Sequence, residues 1–236
     1  MKIDYGEFTI VLPTLNEGGT IGKLVGYITK NYKEVKVLVV DDGSRDETKQ
    51  IVRTISKRNR NVIFFDRSAG RAEKGLTASV IDGIARSRTK YAIVMDSDLQ
   101  HPPVKIREIA GKLSEGNDLV VAYRADVPNW ALYRKIISKA FMIFGKLVLL
   151  VENRISCRDI MSGFFGVNTN LFTKVYKKNE RRFVKDGYKV LFDFLKCMKR
   201  RSIHVSEVPY VFGLRKQGKS KASTGRAIAL VKSFFS

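Results

Sequence analysis

Short apolar, β-branched runs alternate with segments of helical spacing along most of this chain. Phe8 to Leu12 is a strand-like run stopped by Pro13, and Thr20 to Asn31 then carries Ile21, Leu24, Val25 and Ile28 on one helical face. Val35 to Val40 predicts the next strand, ending in Asp41-Asp42-Gly43-Ser44. Ser44 is placed to cap a helix through Thr48, Ile51, Val52 and Ile55, with Asp46 and Glu47 in its first turn. A third unit has a strand from Asn61 to Phe65, a loop from Asp66 to Gly70 and a helix from Glu73 to Arg86. Tyr91 to Met95 is the fourth strand, Pro103 to Ser114 its helix, Asp118 to Tyr123 a fifth strand, and Ser202 to Val208 is again strand-like. Successive strand–helix alternation predicts βαβ units with right-handed crossovers, hence an α/β, Rossmann-like, mostly parallel sheet flanked by helices.

In such sheets ligands sit at the carboxyl ends of the strands. Pro13 to Glu17, Asp41-Asp42, Asp66 to Arg71 and Asp96 to Gln100 all fall at predicted strand ends. Asp96, Asp98 and Gln100 are spaced i, i+2, i+4, so an extended backbone would turn all three to one side. Hard oxygen donors of this kind suit Mg²⁺ or Mn²⁺, with the remaining ligands coming from a substrate diphosphate. A polar turn with an acidic helix cap is the plainer alternative for the same residues. No GxGxxG follows the first strand and no GxxxxGK[ST] occurs, so neither a dinucleotide fingerprint nor a P-loop is supported.

The 236 residues, 44% hydrophobic, suffice for one well-buried core. Cys157 and Cys197 lack metal-site spacing and read as buried thiols. Met1-Lys2-Ile3-Asp4 has no apolar core of a signal peptide, so the start is expected to be cytoplasmic. A net charge of +21 changes the picture, because it favours polyanions: nucleic acid, anionic lipid or phosphorylated substrates. From Trp130 to Val151 a broad apolar face is interrupted by Arg134, Lys135, Lys139 and Lys146. That segment is too charged to span a bilayer, and it suits either a membrane interface or packing on the sheet.

Val11-Leu12-Pro13-Thr14-Leu15-Asn16-Glu17, Val39 to Ser44 with Asp46 and Thr48, and Met95 to Pro103 together resemble the inverting family 2 glycosyltransferases of GT-A fold. Tyr123-Arg124, Arg134 to Ser138, Asp159 to Phe164, Gly187-Tyr188, Glu207-Val208-Pro209, Phe212, Arg215, Gly218, Ser220 and Lys221 narrow the resemblance to the dolichol-phosphate mannose synthases. The resemblance implies that Pro13, Leu15, Glu17 and Val40 line a nucleotide-sugar pocket with Asp41 or Asp42 on the base or ribose. It further implies that Asp96, Asp98 and Gln100 hold the metal and, through it, the donor diphosphate. Arg124, Arg134 and Ser138 would clamp the acceptor phosphate, while Arg215 and Lys221 would close on a mobile C-terminal loop. Residues 1–222 would then be the catalytic domain, with 129–152 an amphipathic interface helix and 213–222 the basic loop. Residues 223–236 would be an amphipathic stub leading toward membrane segments. Leu15 stands where relatives often carry an aromatic, and Asp96-Ser97-Asp98 where many have Asp-Ala-Asp.

The implied reaction moves mannose from GDP-mannose to dolichyl phosphate at the cytoplasmic face of a membrane, with UDP-glucose as the alternative donor. A phosphate monoester is largely ionised at neutral pH and attacks without a protein base. Arg158, Asp159 and Ser162 precede Gly163 where hydroxyl-directed relatives carry a Glu-Asp pair, and no Gln is followed by the Arg-Trp of processive synthases. A non-catalytic nucleic-acid-binding module and a nucleotidyltransferase are the competing classes.

Overall fold

The computed structural model describes residues 3–68, 73–128, 130–187 and 189–214. Strands β1 (Phe8–Thr14), β2 (Lys36–Asp41), β3 (Val62–Asp66), β4 (Tyr91–Val94), β5 (Leu119–Asp126), β6 (Phe165–Asn168) and β7 (Val205–Val211) form one sheet of order β3-β2-β1-β4-β6-β5-β7. Every pairing is parallel except those of β6 with β4 and β5, so six of the seven strands point the same way. The mostly parallel sheet is therefore as expected. Phe165–Asn168, which the sequence reading did not assign, supplies the single reversed strand. At four residues it is too short to show a period of two.

The alternation of side chains splits the core into two layers. Ile10, Leu12, Val37 and Val39 pack under α1 (Gly18–Asn31), α2 (Thr48–Arg58) and α4 (Ile106–Ser114). Val11, Leu38 and Val40 pack on the other face with α3 (Leu76–Arg86), α6 (Thr169–Lys178), α7 (Val190–Lys196) and Leu149 of α5 (Leu132–Val151). Strands buried on both faces explain the continuous apolar runs.

Several boundaries moved for identifiable reasons. β1 continues through Pro13 to Thr14 because Pro13 lies beyond the last β1–β4 pair, where its missing N–H removes no bond on that side. The helix expected from Pro103 begins as a 3-10 turn, Pro103–Lys105, before α4. β5 extends to Asp126, and His204, expected within the last strand, precedes it with its ring exposed. Helix α5 lies within the expected 129–152 segment. Tyr188, Arg215, Gly218, Ser220 and Lys221, most of the 213–222 loop and the 223–236 stub lie outside the described residues.

Gly83 of α3 rests directly on β1 and β2: a Cβ there would collide with Val11 Cγ1 and come within 3.1 Å of Val40 Cγ2. Gly83→Ala should therefore lower stability, by about 1–3 kcal/mol, measured as a drop in the urea midpoint at unchanged m-value.

Candidate active site

Three loops leave the sheet at one rim because β1, β2 and β4 are parallel neighbours. The first two are sewn together. Asn16 N–H donates to Ser44 Oγ at 2.8 Å, Glu17 N–H to Thr48 Oγ1 at 2.8 Å, and Gly18 N–H to Asp46 Oδ2 at 3.0 Å. Ser44 is thus not the helix cap expected of it; Asp46 accepts the Thr48 N–H at 3.0 Å instead. These hydrogen bonds hold the Asp46 carboxyl below its usual range against the opposing effect of its partial burial.

The two adjacent carboxylates after β2 have different tasks. Asp41 is fully buried and accepts from Ser44 N at 2.8 Å, Gly43 N at 3.1 Å and Thr14 Oγ1 at 3.2 Å, so it shapes the loop. Asp42 borders a cleft of about 480 Å³ lined by Leu15, Asn16, Gly43, Arg45, Lys74 and Gly75. Of the pair left open by the sequence, Asp42 is the one that a ligand in this cleft can reach. Gly75 N–H donates to Asp42 Oδ2 at 2.9 Å, and Arg67 Nη1 donates to Oδ1. Burial pushes the Asp42 carboxyl up, opposed by the Gly75 N–H and the Arg67 charge.

The carboxylate loop after β4 is not extended. Leu99 takes φ 62°, and Gln100 N–H donates to Asp98 Oδ1 at 3.1 Å, so the chain turns here and strand alternation does not set the directions of these side chains. Ser97 Oγ donates to Pro13 O at 3.0 Å, which ties this loop to β1 and points the serine away from any ligand. Beneath it lies His101, 2% exposed and stacked on Phe164, whose Nδ1 accepts the Asp96 N–H at 3.1 Å. Burial lowers the His101 pKa to about 4, so the ring is neutral and able to accept. Gln100 Nε2 donates to Gly213 O at 3.0 Å, and Gly213 N–H returns to Gln100 O at 2.9 Å.

Among the described residues no group of three His, Cys, Asp or Glu side chains is placed to hold a metal. Two carboxylates and an amide oxygen, from Asp96, Asp98 and Gln100, make an incomplete hard-donor set, which fits a cation completed by substrate oxygens. Gly163 keeps space before them: a Cβ there would stand 3.2 and 3.3 Å from the Asp96 carboxylate oxygens.

On the neighbouring side, Arg124 directs Nε and Nη2 to Asp159 at 2.7 and 2.9 Å. The expectation of a phosphate clamp is narrowed accordingly, because this fork is engaged by a carboxylate that is 3% exposed. Arg134 is exposed, with its guanidinium 4.2 Å from the Trp130 ring centre, and Ser138 lies one turn further along α5. Arg158 and Ser162 serve the scaffold: Arg158 Nη1 donates to Tyr123 Oη at 2.7 Å and Ser162 Oγ to Ala122 O at 2.6 Å.

Two residues escaped the sequence reading. Arg67, 4% exposed, donates to Asp82 Oδ2 at 2.8 Å, Ser79 Oγ at 3.1 Å and Glu73 O at 2.7 Å besides Asp42. Its place at the end of β3 was the available signal. Lys189 donates to Met161 O at 2.8 Å within the field of Arg124, Asp159, Asp96 and Arg134, and burial lowers its pKa to about 8. Below that pH it adds a cation beside the carboxylate loop, and above it the cation is lost. Affinity for a phosphorylated ligand should fall as pH rises through about 8. Lys189→Arg should remove that fall, read from the pH dependence of binding.

Residues 9–203 match the Glycosyl transferase family 2 domain. The chain is 31% identical over 221 residues to a dolichol-phosphate mannosyltransferase of Pyrococcus furiosus, covering 91% of this chain and 59% of that one. It is 28% identical to the Mycosarcoma maydis enzyme of the same name, covering 90% and 72%, and 27% identical to that of Saccharomyces cerevisiae, covering 92% and 81%. The chain thus spans less than two thirds of the length of the Pyrococcus protein. Glucosyl-3-phosphoglycerate synthase from Mycobacterium tuberculosis, solved with Mn²⁺, UDP and glucosyl-3-phosphoglycerate, superposes with TM-score 0.65 at 18% identity over 97% of this chain and 77% of that one, which establishes the GT-A fold. With residues 9–203, most of the chain, matched by the family's model, the chain belongs to glycosyl transferase family 2.

Proposed function

We propose that this protein transfers a hexose, mannose from GDP-mannose, to dolichyl or another polyprenyl phosphate at the cytoplasmic face of a membrane. The observation that supports this reading is a cleft of about 480 Å³ at Asp42, at the same strand ends as the carboxylate loop, with Asp96, Arg124 and Arg134 all close enough to Lys189 to act on its charge. The dolichol-phosphate mannosyltransferases to which the chain is similar support the choice of sugar and lipid.

In this reading Asp42 contacts the nucleoside with Leu15 in the same cleft; Glu17 stands at the start of α1, and Pro13 and Val40, expected to line the pocket, are instead buried in the sheet and only support it. Asp96, Asp98 and Gln100 hold Mg²⁺ or Mn²⁺, which on binding neutralises charge building on the leaving diphosphate. Lys189 adds positive charge at the same place. Arg134 attracts the acceptor phosphate, whose ionised oxygen is the nucleophile, and Ser138 supplies a hydroxyl beside it. No described helix is long and apolar enough to cross a membrane. Leu132, Tyr133, Ile136, Ile137, Leu147 and Val151 are nonetheless exposed on α5. At about 100° per residue they share one arc of the helix, a geometry suited to lying in a bilayer interface. Arg215 and Lys221 complete the phosphate site in this proposal.

Thermal shift with Mn²⁺ tests the donor: GDP should raise the midpoint and UDP should not, whereas stabilisation by UDP alone assigns a uridine donor. Asp98→Ala should abolish transfer while leaving the circular dichroism spectrum intact. The double substitution Ile136→Glu and Ile137→Glu should release the protein from sedimenting vesicles without lowering its thermal midpoint, since both positions are exposed.

A further inference from the structure

The chain has a single tryptophan, and Trp130 occupies an unusual position. It lies in the short connection between β5 and α5, where its backbone N–H donates to Val127 O at 3.2 Å. Two guanidinium groups face its ring, that of Arg124 at 5.2 Å and that of Arg134 at 4.2 Å from the centre. Phe212 meets it edge-on at 5.8 Å. The indole Nε1 is buried, and among the described residues it has no acceptor.

Each feature asks for the same occupant. A buried indole N–H normally finds a partner, and leaving one unmade costs about 1–3 kcal/mol. Two cations drawn to one ring repel each other, and the Asp159 carboxylate is engaged with Arg124 alone of the two. The π face attracts both arginines and so sets their separation, while the ring edge carries a donor of its own. Arg124 is already bidentate on Asp159, which leaves the site short of donors for a group with three anionic oxygens.

We propose that Trp130 is an acceptor-binding residue whose indole N–H donates to an oxygen of the phosphate monoester held between Arg124 and Arg134. This deepens the proposed transfer and rests on it for the identity of the lipid, but the anion site stands on the geometry of these three residues. The same ring holds Arg134 at the start of α5, so its removal affects both the donor count and the aim of the arginine.

Because Trp130 is the sole tryptophan, its emission reports this site without any turnover. Titration with geranyl phosphate or inorganic phosphate should change the emission saturably, while GDP with Mg²⁺ should not. Trp130→Phe keeps an aromatic face for the arginines and removes only the N–H donor. It should raise the KM for geranyl phosphate about tenfold, with the donor KM within twofold and the thermal midpoint unchanged. An unaltered acceptor KM in Trp130→Phe, or emission that answers GDP and not geranyl phosphate, overturns the assignment even where transfer proceeds normally. Saturable emission changes in a wild-type protein that transfers no sugar from GDP-mannose or UDP-glucose would sustain the anion site and overturn the transfer reading instead.

Discussion

The acidic loop after β4 is held from below by an imidazole that carries no charge. His101 can accept the Asp96 N–H only while its Nδ1 is unprotonated, and burial against Phe164 keeps it so at neutral pH. Ser97 on Pro13 fixes the same loop laterally. Two carboxylates one residue apart would otherwise repel and spread. A neutral support orients the loop without cancelling the charge of its carboxylates.

The flanking cations follow another rule. Arg67 and Arg124 are deep in the protein, and each has a carboxylate partner, Asp42 and Asp82 for the former and Asp159 for the latter. Removing one partner of such a buried pair leaves a charge uncompensated, typically at a cost of about 3–5 kcal/mol. These pairs thus fix where the cleft and the arginine side stand. Arg134 and Lys189 differ: one is exposed, the other has its proton weakly held. The scaffold uses arginines paired with carboxylates, whereas Arg134 lies over the Trp130 ring and Lys189 donates to a backbone carbonyl.

Much of this was legible in the sequence. Strand–helix alternation placed β1 to β5 and their helices because both faces of the sheet are covered, and the acidic loops fell at strand ends because the strands are parallel. What escaped depended on contacts remote in sequence. β6 has only Phe165–Asn168 and takes its direction from neighbours on either side. The division of labour between Asp41 and Asp42 depends on Ser44, Arg67 and Gly75. The position of Lys189 follows from α7 packing near Met161. Spacing put Asp96, Asp98 and Gln100 on one side of an extended backbone, whereas a left-handed turn at Leu99 breaks that alternation.

Gln100 and Gly213 hold one another by two hydrogen bonds, so the carboxylate loop and the exit from β7 behave as one mechanical part. Any displacement of Gln100 is therefore passed directly to Gly213 at the end of the described sheet. Strain at the loop and strain at the strand end become linked variables, joined through one glutamine side chain and one backbone amide.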